Sequence, residues 1–285
     1  MLVSQAIDQY LTHEAHRLAL GIIKGPSLDR AREFALRAQQ FLPEQLVSEL
    51  GPADFRELMA RASERWGCLR LRHLRVWVRS WLKFLVEEGH ISQAPRTGTM
   101  QSPPYRPKPK HVYSPAELRT MLEHPRPIVG AVCGLGLWAG MNCGDVTALE
   151  PEHFDGHWVS QPRQKTGAAR LAYVPSWVMA QLAETGIPIR SKYGTLKRRS
   201  VSTMWRDETQ KLLGKPLPFT GLRTTLRSVV GHLDPEAVEL SIMGLSASPL
   251  AGTPVAIKHY MSRDSISRER LRAVSKALTE YVQSS

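Results

Sequence analysis

The residues best suited to chemistry lie in five short segments that follow one another along the second half of the chain. In chain order these are Gly140–Leu149, the turn at Lys165, Phe219–Thr225, Ile242–Ser246 and Ile257–Tyr260. They contain a lysine, an arginine and a tyrosine; the first two bind phosphate oxyanions, and a tyrosine hydroxyl can act as a nucleophile. P-loop, Gly-x-Gly-x-x-Gly, Gly-x-Ser-x-Gly and His-Glu-x-x-His motifs are absent from the sequence. The usual signatures of nucleotide binding, serine hydrolysis and zinc peptidase chemistry are therefore missing.

Two groups of histidines raise the question of a metal site. His13 and His16 lie three residues apart on a predicted N-terminal helix, with no further ligand nearby. His153, Asp155 and His157 flank a turn, and their order is more typical of a tight loop than of metal ligands. The sequence therefore predicts no metal site.

The charge of the chain indicates a polyanionic partner. Its 285 residues include 38 Lys+Arg and 26 Asp+Glu, a formal net charge of +12. No apolar run approaches the roughly 18 residues that a membrane helix needs. The three cysteines are odd in number and widely spaced, which predicts reduced thiols in a cytoplasmic protein. A membrane span, a secreted disulfide scaffold and an acidic tail protein are excluded.

A proline-rich segment predicts two domains. Five prolines between Pro95 and Pro109 forbid a helix there and favour an extended connector. We expect a helical N-terminal domain over 1–95, a linker over 96–112 and a second domain over 113–285. The linker is basic, and its Lys108 and Lys110 are candidate DNA contacts.

Helical periodicity predicts an all-helical first domain, with helices over 2–20, 28–41, 52–63 and 69–88. The last of these helices has an apolar face and, beside it, a basic stripe that includes Arg72, Arg75 and Arg79. Such a stripe is either a solvated face or a DNA-backbone contact. We expect DNA contact, because the whole chain is strongly basic.

The second domain is predicted to be mostly helical with a small antiparallel sheet. Two strand-like segments surround the turn at Lys165, and a helix is expected from about 265 to 283. Further candidate DNA contacts are Lys192, Lys197, Arg198 and Arg199.

The order and spacing of the five segments resemble the tyrosine recombinases, also called the phage integrase family. That family has Gly-Leu-Arg-x-x-Glu, a hairpin Lys-Thr-x-x-x-Arg, His-x-Leu-Arg, Leu-Gly-His and a tyrosine near the C-terminus. The corresponding stretches here are Gly-Met-Asn-Cys-Gly-Asp, Lys-Thr-Gly-Ala-Ala-Arg, Thr-Gly-Leu-Arg and Met-Gly-Leu. The resemblance runs from about Ser27 to Tyr281. It implies a mainly α, α+β fold: a helical SAM-like core-binding domain, then a recombinase-type catalytic domain.

When the family's six catalytic positions are matched to this sequence, three of them have the family's residue type. Tyr260 matches the nucleophile, Arg223 the second arginine and Lys165 the hairpin lysine, while Asp145 matches the acid of the first motif. Three of the six catalytic positions are replaced: Asn142 stands for the first arginine, Thr220 for the first histidine and Leu245 for the second histidine or tryptophan. The stretch between Leu245 and Tyr260 is also longer than the family pattern.

The resemblance implies strand cleavage and rejoining on double-stranded DNA. In that family two arginines hold the phosphate oxygens, and the tyrosine forms a 3′-phosphotyrosine. The lysine protonates the leaving 5′ oxygen, the histidines assist proton transfer, and neither a metal nor another cofactor is needed. The resemblance also implies a prokaryotic cytoplasmic protein, associated with the nucleoid when bound to DNA. Self-association on DNA is implied too, through residues 264–283, unless that segment packs on its own domain.

The replaced positions leave three hypotheses open. The chain is an active recombinase with a divergent site, a DNA-binding regulator or structural subunit that lost the chemistry, or a helical protein-interaction module. Arg163 and Arg170 flank Lys165 and His259 precedes Tyr260, but the sequence does not favour them as substitutes. The substitutions predict impaired catalysis, because an amide cannot replace a charged guanidinium.

Overall fold

The computed structural model describes residues 1–97, 104, 109–164, 167–191, 194–244 and 266–284. The chain divides into two compact units, Met1–Lys108 and Pro109–Ser285. The predicted site residues Lys108, Lys165, Lys192, Leu245 and Tyr260 lie outside the described residues. Within the described ranges, no helix is long and apolar enough to cross a membrane.

Helices form the first unit. They are α1 (Val3–Ala19), α2 (Gly25–Phe41), α3 (Pro52–Ser63) and α4 (Cys68–Glu87), with a short 3₁₀ turn at Val47–Glu49. Proline lies in the first turn of α2 and α3, where its missing N–H costs no helical hydrogen bond. The four helices agree closely with the periodicity of the sequence.

Helix α4 has two chemically distinct faces. Leu74, Val78 and Trp81 are fully buried in the core of the first unit. Arg72 and Arg79 are exposed on the other side, and the chain as described shows no ion pair for either. The predicted apolar face is confirmed, and beside it Arg72 and Arg79 are exposed to solvent.

The second unit is also mainly helical. Its helices are α5 (Pro115–Leu122), α6 (Pro127–Trp138), α7 (Cys143–Val146), α8 (Ser176–Thr185), α9 (Arg198–Leu213), α10 (Thr220–Val230) and α11 (Arg268–Gln283). A 3₁₀ turn covers Pro151–His153, and a π-helix covers Ala237–Ile242. A capping box starts α5: Ser114 Oγ accepts from the Glu117 N–H at 3.2 Å, and Glu117 Oε2 accepts from the Ser114 N–H at 2.9 Å.

The small antiparallel sheet is confirmed, but it has three strands where the sequence predicted two. They are β1 (Phe154–Asp155), β2 (Trp158–Ser160) and β3 (Leu171–Tyr173), in that order across the sheet. Gly156, with φ of 57°, turns β1 back onto β2, which splits the first predicted strand. A second antiparallel pair, β4 (Arg190–Ser191) with β5 (Gly194–Thr195), was not predicted from the sequence.

Helix α6 forms the centre of the second core, and every residue from Val129 to Trp138 is buried. Glycines on α6 allow α8 to approach closely: a Cβ on Gly134 would lie 2.3 Å from Val178 Cγ1. The packed pair supports the loop that follows α6, where the candidate site begins.

The C-terminal helix begins later than the sequence indicated. Its N-cap is Ser267, whose Oγ accepts from the Arg270 N–H at 3.3 Å, so the expected start near residue 265 is wrong. The apolar stripe of α11 is buried in the core of its own unit; its members are Leu271, Val274, Leu278 and Val282. This stripe therefore packs on its own domain.

Candidate active site

Arg223 lies at the centre of the candidate site, near the start of α10. It is half-buried, and its Nη1 donates a hydrogen bond to the carbonyl oxygen of Gly140, two residues before Asn142. Burial lowers the pKa of the Arg223 guanidinium, and the neighbouring charges of Arg170 and Arg163 lower it further. The structure therefore brings the second arginine of the resemblance beside the segment of the first.

The side chain of Asn142 caps a helix. Its Oδ1 accepts from the N–H groups of Gly144 at 2.8 Å and Asp145 at 3.2 Å, and its Nδ2 donates to Asp145 Oδ2 at 2.7 Å. Asparagine is among the best N-cap residues because its oxygen satisfies the first free N–H groups of a helix. At this position the chain has a residue that shapes the backbone of α7.

A buried ion pair joins α7 to the sheet. Arg170 Nη2 donates to Asp145 Oδ2 at 2.8 Å, and both side chains have 0% exposure. Asp145 Oδ1 accepts a hydrogen bond from the Gln164 N–H at 3.2 Å. The backbone carbonyl of Asp145 accepts another from Gln161 Nε2 at 3.0 Å. The acid of the first motif therefore fixes both ends of the β2–β3 connection.

Hydrogen bonds join the described residues on the two sides of the β2–β3 connection. The Arg163 N–H donates to the carbonyl of Ala168, and the Gly167 N–H donates to the carbonyl of Arg163, both at 2.8 Å. Lys165 belongs to this connection by sequence. Its part in the site stays a prediction.

Thr220 starts α10, where the family pattern has a histidine. It is exposed and lies three residues before Arg223, so both are on the same helical face. A threonine hydroxyl does not ionise near neutral pH, so it is a poor proton carrier compared with a histidine. The position is beside the arginine, as predicted, but the residue there cannot act as an acid or base.

A basic cluster lies next to this site. Lys197, Arg198 and Arg199 are exposed at the start of α9, whose first turn contains no acidic residue. Arg198 Cδ lies 3.6 Å from the position of a Cβ on Gly144, so the cluster is packed against α7. Positive charge at a helix N-terminus opposes the helix dipole, and a bound anion would offset that cost.

Two structural members of the site were not assigned as site residues from the sequence. Arg170 is the last residue of the Lys-Thr-x-x-x-Arg stretch, which was the available signal, and Gly140 opens the first motif.

Lys110, the described lysine of the linker, is exposed. In the ranges that the structure describes, no group of three or more His, Cys, Asp and Glu could hold a metal ion.

Replacing Gly140 by alanine should destabilise the second unit strongly. Gly140 has φ of 56°, and a Cβ there would lie 2.9 Å from Met243 Sδ and 3.1 Å from the Ile242 carbonyl oxygen. We expect a loss of about 2–4 kcal/mol in the free energy of unfolding, from backbone strain plus overlap, measured by urea denaturation. Gly214→Ala is the control, because Gly214 has φ of 70° in the left-handed helical region but nothing within 4 Å of the added Cβ. Equal losses in the two variants would contradict the packing argument.

Several solved structures are similar to this chain over most of its length. The chain is similar to the lambda integrase (residues 75–356) bound to DNA, with a TM-score of 0.72 and 14% identity over 94% of this chain and 100% of that chain. It is similar to a lambda integrase tetramer bound to a Holliday junction, with a TM-score of 0.72 and 14% identity over 90% of this chain and 81% of that one. It is also similar to the Tn1549 transposon integrase (residues 82–397) in complex with circular intermediate DNA. That TM-score is 0.60, with 14% identity over 96% of this chain and 98% of that one.

No protein-family model matches the sequence, and no curated protein matches it either. At 12–15% identity the solved structures establish the architecture alone. The described helices and the small antiparallel sheet agree with that architecture. The chain therefore has the fold of the tyrosine recombinases.

Proposed function

We propose that the chain is an integrase-like DNA-binding protein, related to site-specific recombination and integration, with impaired strand cleavage. The observation that carries the proposal is the basic surface around α7. Exposed Lys197, Arg198 and Arg199 lie against the segment that meets half-buried Arg223. A surface of this kind binds the phosphates of a nucleic acid backbone.

The fold supports double-stranded DNA as the partner. The similar lambda and Tn1549 integrases are bound to DNA in their structures. In the first unit, the exposed Arg72 and Arg79, with half-buried Arg75, give α4 a basic face, and Lys110 adds a charge at the start of the second unit. We include Lys108 and Lys192 among the proposed DNA contacts on their sequence alone. The domain assignment of 1–95, 96–112 and 113–285 and the prokaryotic cytoplasmic location belong to the same proposal.

Impaired cleavage is proposed because the groups that move protons and hold charge are replaced. Tyr260 is the proposed nucleophile, with Arg223 and Lys165 as the retained catalytic residues. The Asn142 side chain caps a helix, and the Thr220 hydroxyl does not ionise near neutral pH. Removing one transition-state donor typically costs ~10²–10³ in rate.

A non-catalytic regulator or structural subunit on the same fold is the alternative. The capping role of Asn142 favours it, because the side chain serves the stability of α7 and carries no charge. The two functions share DNA binding and differ in whether a covalent adduct with DNA forms.

We propose self-association on DNA, as in the lambda integrase dimer and tetramer structures. The apolar stripe of α11 is already buried in its own unit, so a contact through residues 264–283 would use the exposed polar face of that helix. Deleting the segment would remove core residues. Charge reversal at the exposed Lys276, followed by cooperativity of DNA binding, is the better probe.

Binding to duplex DNA should weaken sharply as salt rises, and the α9 cluster should carry part of that dependence. Each phosphate contact contributes about 0.9 to the slope of log affinity against log salt. For the triple variant Lys197→Ala, Arg198→Ala and Arg199→Ala we expect weaker binding and a slope lower by roughly 2–3. Fluorescence anisotropy with a labelled 30-base-pair duplex measures both.

The matched control removes the same charge elsewhere. Arg32, Arg61 and Lys211 each pair with an acid on their own helix, at 4.0 Å for Arg32 and 3.4 Å for Lys211. Their triple alanine variant should keep the slope within about 1 of the natural protein. A flat salt response of the natural protein, or no binding at low salt, would rule out the proposed function.

A further inference from the structure

The surroundings of Arg223 hold more positive than negative charge. Arg170 is already paired with Asp145 at 2.8 Å, and Arg227 is paired with Glu239. Burial and the charges of Arg170, Arg163 and Arg227 lower the pKa of Arg223, whereas the charge of Asp145 raises it. The charges of Arg163 and Arg223 are therefore left without a counter-charge in the described part of the chain.

Arg163 has a donor that is shielded from solvent and lacks a partner. Its side chain is half-buried, and its Nε is one of the buried polar atoms that make no hydrogen bond with any described residue. A shielded donor without an acceptor costs free energy, which binding of an anion would recover. The backbone of Arg163 is held by its hydrogen bonds across the β2–β3 connection, so the side chain starts from a fixed position.

A chain of close contacts links Arg163 to Arg223. Arg163 Cβ lies 3.6 Å from the position of a Cβ on Gly244, which directly follows the π-helix. The preceding Met243 has its Sδ 2.9 Å from the position of a Cβ on Gly140, and the Gly140 carbonyl accepts from Arg223. The two arginines therefore belong to one packed cluster built from the β2–β3 connection, the π-helix end and α10.

We propose that Arg163 and Arg223 together bind one phosphate oxyanion, so that the β2–β3 connection supplies the cation that position 142 lacks. A guanidinium presents paired N–H donors that match two phosphate oxygens, and an anion between two guanidinium groups removes their repulsion. The ligand is a DNA phosphodiester. This assignment rests on the proposed function and adds a residue that the family pattern does not contain.

Thermal unfolding in phosphate and in chloride, at equal ionic strength, tests the site directly. Inorganic phosphate at about fivefold its dissociation constant should raise the Tm of the natural protein by about 2–4 °C. The same increment should be lost in Arg163→Gln and in Arg223→Gln, and kept in Arg206→Gln, an exposed arginine further along α9 that has no role in the proposed DNA contacts. In chloride alone, Arg163→Gln should melt at or above the natural Tm, because removal of one like charge relieves repulsion. A purely structural role for Arg163 predicts the opposite sign.

Measuring duplex binding distinguishes the two possible ligands of the site, a DNA phosphodiester and free phosphate. Arg163→Gln should weaken duplex binding several-fold and lower the log–log salt slope by about 0.9, and Arg163→Lys should recover part of the affinity. If phosphate still raises the Tm of Arg163→Gln by the same amount, the shared site is overturned. Loss of the increment with unchanged duplex binding overturns the assignment to DNA. In both cases the proposed function stands as long as the natural protein binds duplex DNA. If the natural protein does not bind duplex DNA, the proposed function fails, whatever the Arg163 variants show.

Discussion

Arg170→Met is expected to lower the free energy of unfolding of the second unit by about 3–5 kcal/mol, the cost of leaving one charge of a buried pair without its partner. Arg170 and Asp145 both have 0% side-chain exposure and are 2.8 Å apart. In the variant the Asp145 carboxylate keeps its contacts with Asn142 and the Gln164 N–H, but it loses the one ion-pair partner that the described chain gives it. Urea denaturation, followed by tryptophan fluorescence, measures the loss.

The control is Arg199→Met, which makes the same chemical change at an exposed position of α9. It should stay within about 0.5 kcal/mol of the natural protein. A loss below 1 kcal/mol in Arg170→Met would show that water or a rearranged β2–β3 connection compensates Asp145, and the pair would not organise the site.

The helical elements and the kind of fold could be predicted because they depend on local pattern. Periodic apolar residues on α4 and the Ser114 capping box are short-range signals, and both elements lie where the sequence placed them. The strands were harder to predict, because each has only two or three residues and Gly156 turns the chain within a segment that alternates like one strand. The β4–β5 pair was harder still to predict, because each strand has only two residues.

The arrangement of the site depended on contacts between distant parts of the chain. Arg223 and Asn142 were predicted to lie together because the order of the family motifs suggested it, and the structure shows a hydrogen bond from Arg223 to the Gly140 carbonyl, two residues before Asn142. The sequence could not tell that the charge of Arg170 is paired with Asp145, whereas Arg163 has no ion pair in the described chain, since both simply flank Lys165. Burial and pairing separate the two arginines.

The proposed chemistry leads to the prediction with the largest effect on rate. The natural protein should form no phosphotyrosine adduct, or form it very slowly, on a library of nicked suicide duplexes. If Arg163 supplies the second cation, the missing groups are the proton carriers at Thr220 and Leu245. Each lost group of this kind costs ~10²–10⁴ in rate, and the losses are not additive.

Two variants test where the rate is lost. Thr220→His with Leu245→His restores proton transfer and should raise adduct formation by at least about tenfold, with Tyr260→Phe in the same background abolishing it. Adding Asn142→Arg should bring no further gain, because it removes the cap of α7, worth about 1 kcal/mol, and duplicates a cation already present. SDS-resistant protein–DNA complexes on denaturing gels give the readout.

Rapid adduct formation by the natural protein, lost in Tyr260→Phe, would contradict impaired catalysis and establish a working recombinase with a divergent site. A gain that requires Asn142→Arg would instead place the missing cation at position 142, against the role assigned to Arg163. Adduct absent from every variant, with duplex binding kept in all of them, would favour the regulator or structural subunit. In that case the arginines at 163 and 223 hold a DNA phosphate for binding alone, and the chain uses the fold of a strand-cleaving enzyme to occupy DNA without cutting it.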